Sequence, residues 1–158
     1  MPQQIFAPRA RIAPGTSRSS PVLGGPVPSL VLDASILVDA LRPMAQGSAA
    51  IRGRLKEADS WFAPHTIDVE CMSAWRALRM RGEIDDRTLR RALDGLATWP
   101  IERLASTPLI ARIHELSPTI TPYDGAYVAI AEALNLPLFT RDARLTRASG
   151  PRCQFELI

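Results

Sequence analysis

The stretch covering residues 121–142 constrains the fold of this chain more than any other. It predicts a helix with Pro122 in its first turn, where proline is favoured, and with its end at Asn135, which tolerates left-handed backbone. A short apolar strand follows. One carboxylate, Asp124, therefore lies in the first turn of a helix, and another, Asp142, lies just past the end of the next strand. In a parallel α/β layer these two places share the edge of the sheet at which ligands bind.

Short apolar runs alternate with helical patterns along the rest of the chain. The predicted strands cover residues 29–33, 61–63, 101–104, 136–140 and 153–158. Between them, helices are predicted at residues 34–41, 48–58, 66–81, 85–98, 107–116 and 121–135, with Ser48 and Thr66 as N-caps of the second and third. This alternation is typical of the α/β class, with a mostly parallel sheet covered by helices on both faces.

The length of 158 residues suits one domain, and composition divides it into a tail and a folded part. Residues 1–28 hold six prolines and three glycines without periodicity, so we expect a flexible or non-native tail and assign the domain to residues 29–158. Three of the 19 basic residues lie in the tail, which leaves the folded part formally neutral. If its acids converge on one site, the remaining surface carries an excess of positive charge, which suits a polyanionic ligand.

Cysteine usage and hydropathy indicate a cytoplasmic protein. Cys71 and Cys153 are too few for a disulfide framework, and with only His65 and His114 they form no zinc-binding spacing. No apolar run approaches the roughly 18 residues of a membrane span, and no signal-peptide pattern is present. We therefore expect reduced thiols and no membrane partner.

Four acidic residues fall at strand-to-helix crossings or helix N-termini: Asp33, Glu70, Asp124 and Asp142. Each has an ordinary structural explanation. Asp33 and Asp142 have positions suited to N-caps, Thr121 and Asp124 resemble a capping box, and Glu70 complements the helix dipole. Taken singly, such residues are caps at least as often as they are functional.

Taken together, the four acids predict a metal-dependent hydrolase. Several carboxylates within a few ångströms repel one another, and a cation between them keeps them ionised. Oxygen ligands without histidine or cysteine suit Mg²⁺ or Mn²⁺. Such a site activates water and stabilises the charge that develops on a phosphoryl group. The chemistry indicated is hydrolysis of phosphodiester bonds.

The segments that carry these acids resemble the four acidic motifs of the PIN-domain ribonucleases, and the chain is most similar to the VapC-type toxins of toxin–antitoxin pairs. The resemblance covers residues 30–158 and rests on LVLDAS at 30–35, DVE at 68–70, TPYDGAYVAIAE at 121–132 and LFTRDARL at 138–145. It implies a five-stranded α/β/α sandwich, an Mg²⁺-dependent endoribonuclease, a homodimer, and a cognate antitoxin that blocks the site.

The resemblance also implies residue roles. Asp33, Glu70, Asp124 and Asp142 would be catalytic, and Asp33, Asp124 and Asp142 would bind the metal. Ser35 and Thr140 match small hydroxyl positions that support such a site. The assignment of Glu70 leaves an alternative open, because Asp68 lies two residues away in the same motif.

Arginines near Asp142 are candidates for binding the RNA substrate. Arg144 and Arg147 are expected to contact phosphates, whereas the arginines of the predicted hairpin between residues 66 and 98 are interpreted as a solvated face.

Two alternative protein classes are disfavoured because this chain lacks a residue that each requires. A receiver domain needs a lysine at the sheet edge, and a haloacid-dehalogenase-like phosphatase needs an acid at position 35. The remaining alternative is a PIN-like module that binds RNA or antitoxin without cleaving.

Overall fold

A computed structural model describes residues 29–42 and 44–158, so the expected tail at residues 1–28 lies outside the described residues. It contains five short strands: β1 (Leu30–Leu32), β2 (Trp61–Pro64), β3 (Ile101–Leu104), β4 (Leu138–Thr140) and β5 (Phe155–Leu157). Six helices lie between them: α1 (Ala34–Ala40), α2 (Ser48–Lys56), α3 (Ile67–Met80), α4 (Asp86–Thr98), α5 (Ile110–Leu116) and α6 (Pro122–Leu134). Single 3₁₀ turns occur at Thr107–Leu109 and Leu145–Arg147.

The five strands form one parallel sheet in the order β3-β2-β1-β4-β5. This confirms the predicted fold class. The chain builds outward from β1 through β2 to β3, then crosses back to add β4 on the other side of β1. Strand order therefore reverses between β1 and β4, and the crevice at the carboxyl ends of these two strands is where ligands bind in open α/β sheets.

Helices cover the sheet in two groups, as right-handed crossovers in opposite directions require. Contacts join α1 with α2 and α3, and α3 with α4, whereas α5 packs against α6. The central strand β1 is completely buried, as the apolar sequence of residues 30–32 predicts. In α6 the residues from Gly125 to Ala131 are buried on all sides, because this helix packs between α5 and the strands β1, β2 and β4. Within the described residues, none of the helices has the length and apolar character needed to cross a bilayer.

Helix ends agree with the sequence where backbone conformation decides them. Asn135 takes left-handed backbone with φ 53° after α6, and Gly82 does so with φ 72° after α3. The strand after α6 is shorter than predicted, because the backbone amide of Leu136 bonds to the Ala131 carbonyl and so belongs to the helix cap. The last strand is also shorter than predicted and covers only Phe155–Leu157.

One predicted helix cap is wrong, and another has the predicted position without a capping hydrogen bond. Ser48 is the first helical residue of α2 and is buried, and the N-cap position belongs to Gly47, which has φ 78°. Thr66 occupies the N-cap position of α3, but its backbone is already helical, with φ −67° and ψ −19°. A capping hydroxyl needs extended backbone to face the free amides, so the Thr66 side chain makes no cap bond.

Candidate active site

Asp33 lies directly after β1, at the N-cap position of α1, yet its carboxylate does not cap the helix. Its Oδ2 atom accepts two hydrogen bonds from hydroxyl groups instead, one from Ser35 Oγ at 2.7 Å and one from Thr140 Oγ1 at 2.5 Å. Ser35 belongs to the first turn of α1 and Thr140 to the neighbouring strand β4. The two hydroxyl positions inferred from the sequence thus converge on one carboxylate oxygen at the crevice between β1 and β4.

Asp142 is connected to Asp33 through Thr140, which is fully buried. The backbone amide of Asp142 donates to Thr140 Oγ1 at 3.0 Å. The carboxylate of Asp142 acts as a cap, because its Oδ1 accepts the amides of Arg144 at 2.7 Å and Leu145 at 3.3 Å. Burial raises the pKa of this carboxyl, but these amides and the Arg144 guanidinium outweigh it and lower the pKa below its usual value.

Asp124 lies in the first turn of α6, where Thr121 caps the helix. The Thr121 hydroxyl accepts the Asp124 amide at 3.1 Å and donates to Asp124 Oδ2 at 2.8 Å. Thr121 therefore caps the helix as the first half of a capping box would, while Asp124 bonds to the Thr121 hydroxyl. This arrangement is compatible with a ligand role, because the carboxylate receives a hydroxyl donor and still has further lone pairs.

Glu70 lies on α3, half-buried, and accepts a hydrogen bond from the Tyr127 hydroxyl at 3.1 Å. Burial raises the pKa of the Glu70 carboxyl above its usual value, and the negative charges of Asp33 and Asp124 raise it further, despite hydrogen bonds that lower it. Asp33 and Asp124 therefore both lie within electrostatic reach of Glu70. Burial also raises the pKa of Tyr127, with the Glu70 and Asp33 charges adding to the effect.

The competing acid of the same motif, Asp68, is held by another partner. Arg103 on β3 binds it with two hydrogen bonds, from Nε at 2.7 Å and from Nη2 at 2.8 Å. The same guanidinium also donates to the backbone carbonyls of Leu96 and Ile101. Asp68 thus joins α3 to β3 and the end of α4, and the geometry favours Glu70 over Asp68 as the acid of the site.

Asp124 and Asp142 line the same cleft, which has a volume of about 520 Å³. Residues 117–122, between α5 and α6, form one wall, and Arg144, Leu145 and Ala148 form the other. Arg144 reaches this cleft with a side chain that is 88% exposed. Arg147 is exposed and does not line it. The structure therefore brings one of the two candidate arginines to the acids.

The donor set fits Mg²⁺, which keeps several water ligands, better than it fits a metal that protein side chains alone coordinate. Among the residues that the structure describes, no three histidine, cysteine, aspartate or glutamate side chains are grouped closely enough to hold a metal by themselves. Mg²⁺ is usually bound by one or two carboxylates, several waters and the phosphates of the substrate. Asp124 and Asp142 face an open cleft, and the charges of Asp33 and Asp124 add to the rise in the pKa of Glu70 that burial causes, so these carboxylates can provide such ligands.

Sequence reasoning missed two contacts of the site. Tyr127 donates to Glu70, and its place one turn after Asp124 on the same helix face was the available signal. Arg141 forms an ion pair with Asp39 of α1, and its backbone amide donates to Ser35 Oγ at 3.3 Å. It thereby fixes the segment after β4 against α1.

Comparisons with known proteins agree with this arrangement. A family model described as the PIN domain matches residues 30–151. Ribonuclease VapC1 of Mycobacterium tuberculosis is 40% identical over 129 residues, which cover 81% of this chain and 96% of the relative. Ribonuclease VapC12 of the same species is 36% identical over 129 residues, which cover 82% and 98%.

Solved structures share the fold. A chain from the crystal structure of VapBC2 from Rickettsia felis, bound to a DNA fragment from its promoter, has a TM-score of 0.59 at 16% identity and covers 82% of this chain and 98% of its own length. A chain of FitAcB from Neisseria gonorrhoeae also has a TM-score of 0.59, at 15% identity, with 80% and 95% covered. At these identities the likeness concerns the fold alone.

Proposed function

This chain belongs to the PIN-domain family, and we propose that it is an endoribonuclease, the toxin of a type II toxin–antitoxin pair, which hydrolyses RNA phosphodiester bonds. One observation carries the proposal: an aspartate at the crevice between β1 and β4 has its carboxylate held by two hydroxyls instead of capping its helix. Such a carboxylate is oriented for an external ligand. The relatives named as ribonucleases support cleavage over the alternative of a module that only binds.

Asp33, Asp124 and Asp142, directly or through waters and together with the substrate phosphate, would hold a divalent cation, Mg²⁺ or Mn²⁺, with Glu70 beside it. The ion, when bound, supplies a water of lowered pKa and neutralises charge on the phosphate. Ser35 and Thr140 orient Asp33, and Tyr127 orients Glu70. Glu70, whose pKa is raised by burial, would be the candidate for proton transfer near the reacting phosphate. Arg144 and Arg147 would contact phosphates on the substrate.

The experiment is a cleavage assay on structured RNA with purified protein. We expect cleavage with Mg²⁺ or Mn²⁺ and none after chelation. Asp33→Asn and Asp124→Asn should each lower the rate at least about 100-fold, since each removes a charge that holds the ion. Their thermal unfolding should match the wild type. Asp59→Asn, which removes an exposed acid away from the crevice, is the matched control and should cleave normally. Equal cleavage by all variants would assign the activity to a contaminant and refute the proposal.

A cognate antitoxin would bind this protein and block its site in the cytoplasm. The chains with the same fold come from structures titled VapBC2 and FitAcB, and the relatives carry the VapC name. A neighbouring reading frame that encodes a small DNA-binding protein would identify the partner. We expect the co-purified pair to cleave RNA much more slowly than the free toxin, and undiminished cleavage by the pair would contradict this role.

The proposed homodimer has a candidate surface on α3. Val69 is 65% exposed and Met80 73% exposed, on the same face as Ala77, and a groove of about 680 Å³ runs along this face to Tyr123, which is 63% exposed. Exposed apolar faces of this kind mark interaction surfaces. A charge in the groove, Ala77→Asp, should convert a dimer to a monomer in sedimentation equilibrium. Met44→Asp, on another surface, should leave the dimer intact; a dimer in both variants would rule out this face.

A further inference from the structure

We propose that the cleft between residues 117–122 and the segment 144–148, here called the side cleft, holds the base of one unpaired nucleotide next to the scissile phosphate. This inference rests on the proposed nuclease function and adds where the substrate is read. Asp124 and Asp142 line the side cleft, so a nucleotide in it lies beside the acids. Its volume of about 520 Å³ falls within the range of pockets that hold small ligands.

The walls of the side cleft suit the faces of a nucleobase. Pro118 and Ile120 contribute apolar surface from one wall, and Leu145 and Ala148 contribute it from the other. A base has apolar faces and polar edges, and sequence-specific RNA recognition places single unpaired bases between such surfaces. A base pair within a duplex cannot enter a cleft of this size, so the occupant is an unstacked nucleotide.

Arg144 is placed to cover the base in the side cleft. Its guanidinium approaches the Asp142 carboxylate only at 3.4 and 3.5 Å, longer than a strong charge-assisted hydrogen bond. Two backbone amides hold Asp142 independently, so the guanidinium can turn to a ligand without releasing that carboxylate. A planar guanidinium stacks on bases and binds phosphates, which an ammonium group does less well.

Hydrogen bonds within the protein join the two walls of the side cleft. The hydroxyl of Thr119 in one wall donates to the carbonyl of Ser149 beside the other, at 2.7 Å. Arg112 donates to the Gly150 carbonyl at 2.7 Å. Gly150 has φ 109°, and a Cβ atom there would lie 3.3 Å from a methyl of Leu116, so glycine permits this close approach. Walls joined at one end reduce the entropy lost on binding.

Photocrosslinking locates the base directly. The probe is a random ten-nucleotide RNA that contains 4-thiouridine, with Ca²⁺ in place of Mg²⁺ to slow cleavage, and crosslinked peptides are identified by mass spectrometry. We expect crosslinks within residues 117–122 or 144–148. Arg144→Ala should lower their yield roughly tenfold, about the effect of losing one base contact. Arg147→Ala removes the same charge from the same turn, outside the cleft, and should lower the yield less than about threefold, as a single screened phosphate contact would.

A second readout separates this inference from the nuclease proposal. Wild-type protein with Mg²⁺ is given a randomised RNA pool, and the cut ends are sequenced. We expect a nucleotide preference at one position beside the cut that Arg144→Ala removes and that Arg147→Ala keeps while slowing cleavage at all sites. Cleavage with an unchanged preference in Arg144→Ala, or crosslinks outside the cleft, would overturn the side cleft as the reading site. Crosslinks within the cleft without any cutting would instead overturn the nuclease function.

Discussion

Two aspartates at helix starts show that an N-cap position alone does not decide whether a carboxylate caps its helix. Asp85 and Asp33 each precede a helix in extended backbone, a position in which an aspartate side chain is favoured as a cap. Asp85 is a cap, since its Oδ1 accepts the Thr88 amide at 2.7 Å. Asp33 turns its carboxylate to Ser35 and to Thr140, which is 107 residues away. A contact over that distance decides the role, so no local pattern could have separated the two residues.

Glu70 gives a pH-dependent prediction at the same scale. Its pKa is raised in the folded protein, first by burial and then by the Asp33 and Asp124 charges. Below the usual value of 4.5 the carboxyl is protonated in both folded and unfolded chains and contributes nothing. As pH rises above that value the unfolded chain ionises first, so folding stability falls until the pH passes the folded pKa. Glu70→Gln removes this penalty and retains an acceptor for Tyr127.

The measurement is the free energy of unfolding of metal-free protein between about pH 4 and pH 7.5. We expect Glu70→Gln to become more stable relative to wild type as pH rises. Glu102→Gln, an exposed position on β3, should show no such trend. A constant difference in the free energy of unfolding between wild type and Glu70→Gln across this range would show that folding does not raise the pKa of Glu70.

At the scale of elements, α6 illustrates which boundaries and faces can be read from sequence. Its start and its end at Asn135 are as predicted, because capping and left-handed backbone are local properties. Its buried length cannot be read in this way, since Ala133 and Leu134 continue the apolar pattern of the helix and are exposed. The neighbouring elements bury Gly125 to Ala131 and not these two residues, and their positions cannot be read from the helix sequence.

An ion pair between Arg112 and Glu132 joins α5 to α6, and its contribution to stability can be measured. Arg112 on α5 binds Glu132 on α6 through Nε at 2.7 Å and Nη2 at 3.0 Å, and the Arg152 amide donates to the same carboxylate at 2.7 Å. The Arg112 hydrogen bond lowers the pKa of Glu132 more than burial raises it, with the Arg152 amide adding to the decrease. The stabilisation is therefore present above the usual pKa and lost as pH falls through the folded value.

Glu132→Gln should lower the free energy of unfolding by about 2 kcal/mol near neutral pH, because charge-assisted hydrogen bonds to a largely buried side chain are lost. Urea denaturation measures this change in the free energy of unfolding. The matched control is Glu115→Gln, which removes the other carboxylate on Arg112; that side chain is 61% exposed, so the change should stay within about 0.5 kcal/mol. Equal effects of the two substitutions would show that the Glu132 pair does not anchor α6.

At the scale of the whole molecule, strand order assembles the site. The sequence predicted acids at the carboxyl edge of a parallel sheet and, by resemblance, which four they are. It did not predict that β4 lies beside β1, because pairing between strands over 100 residues apart leaves no periodicity in the chain. That pairing sets Thr140 on Asp33 and brings Asp142 to the same crevice. The side cleft depends equally on contacts between separate segments, and nothing in the sequence pattern indicated it.

Binding of Mn²⁺ tests most directly whether the carboxylates of Asp33, Asp124 and Asp142 share a cation. Free Mn²⁺ is measured by electron paramagnetic resonance during titration into wild-type protein, Asp33→Asn and Asp68→Asn. We expect one class of sites in the wild type, a loss of affinity of at least about tenfold in Asp33→Asn, and wild-type affinity in Asp68→Asn, whose carboxylate is bound by Arg103. Equal Mn²⁺ binding by wild type and Asp33→Asn, with both proteins folded, would contradict a shared metal site at the crevice between β1 and β4.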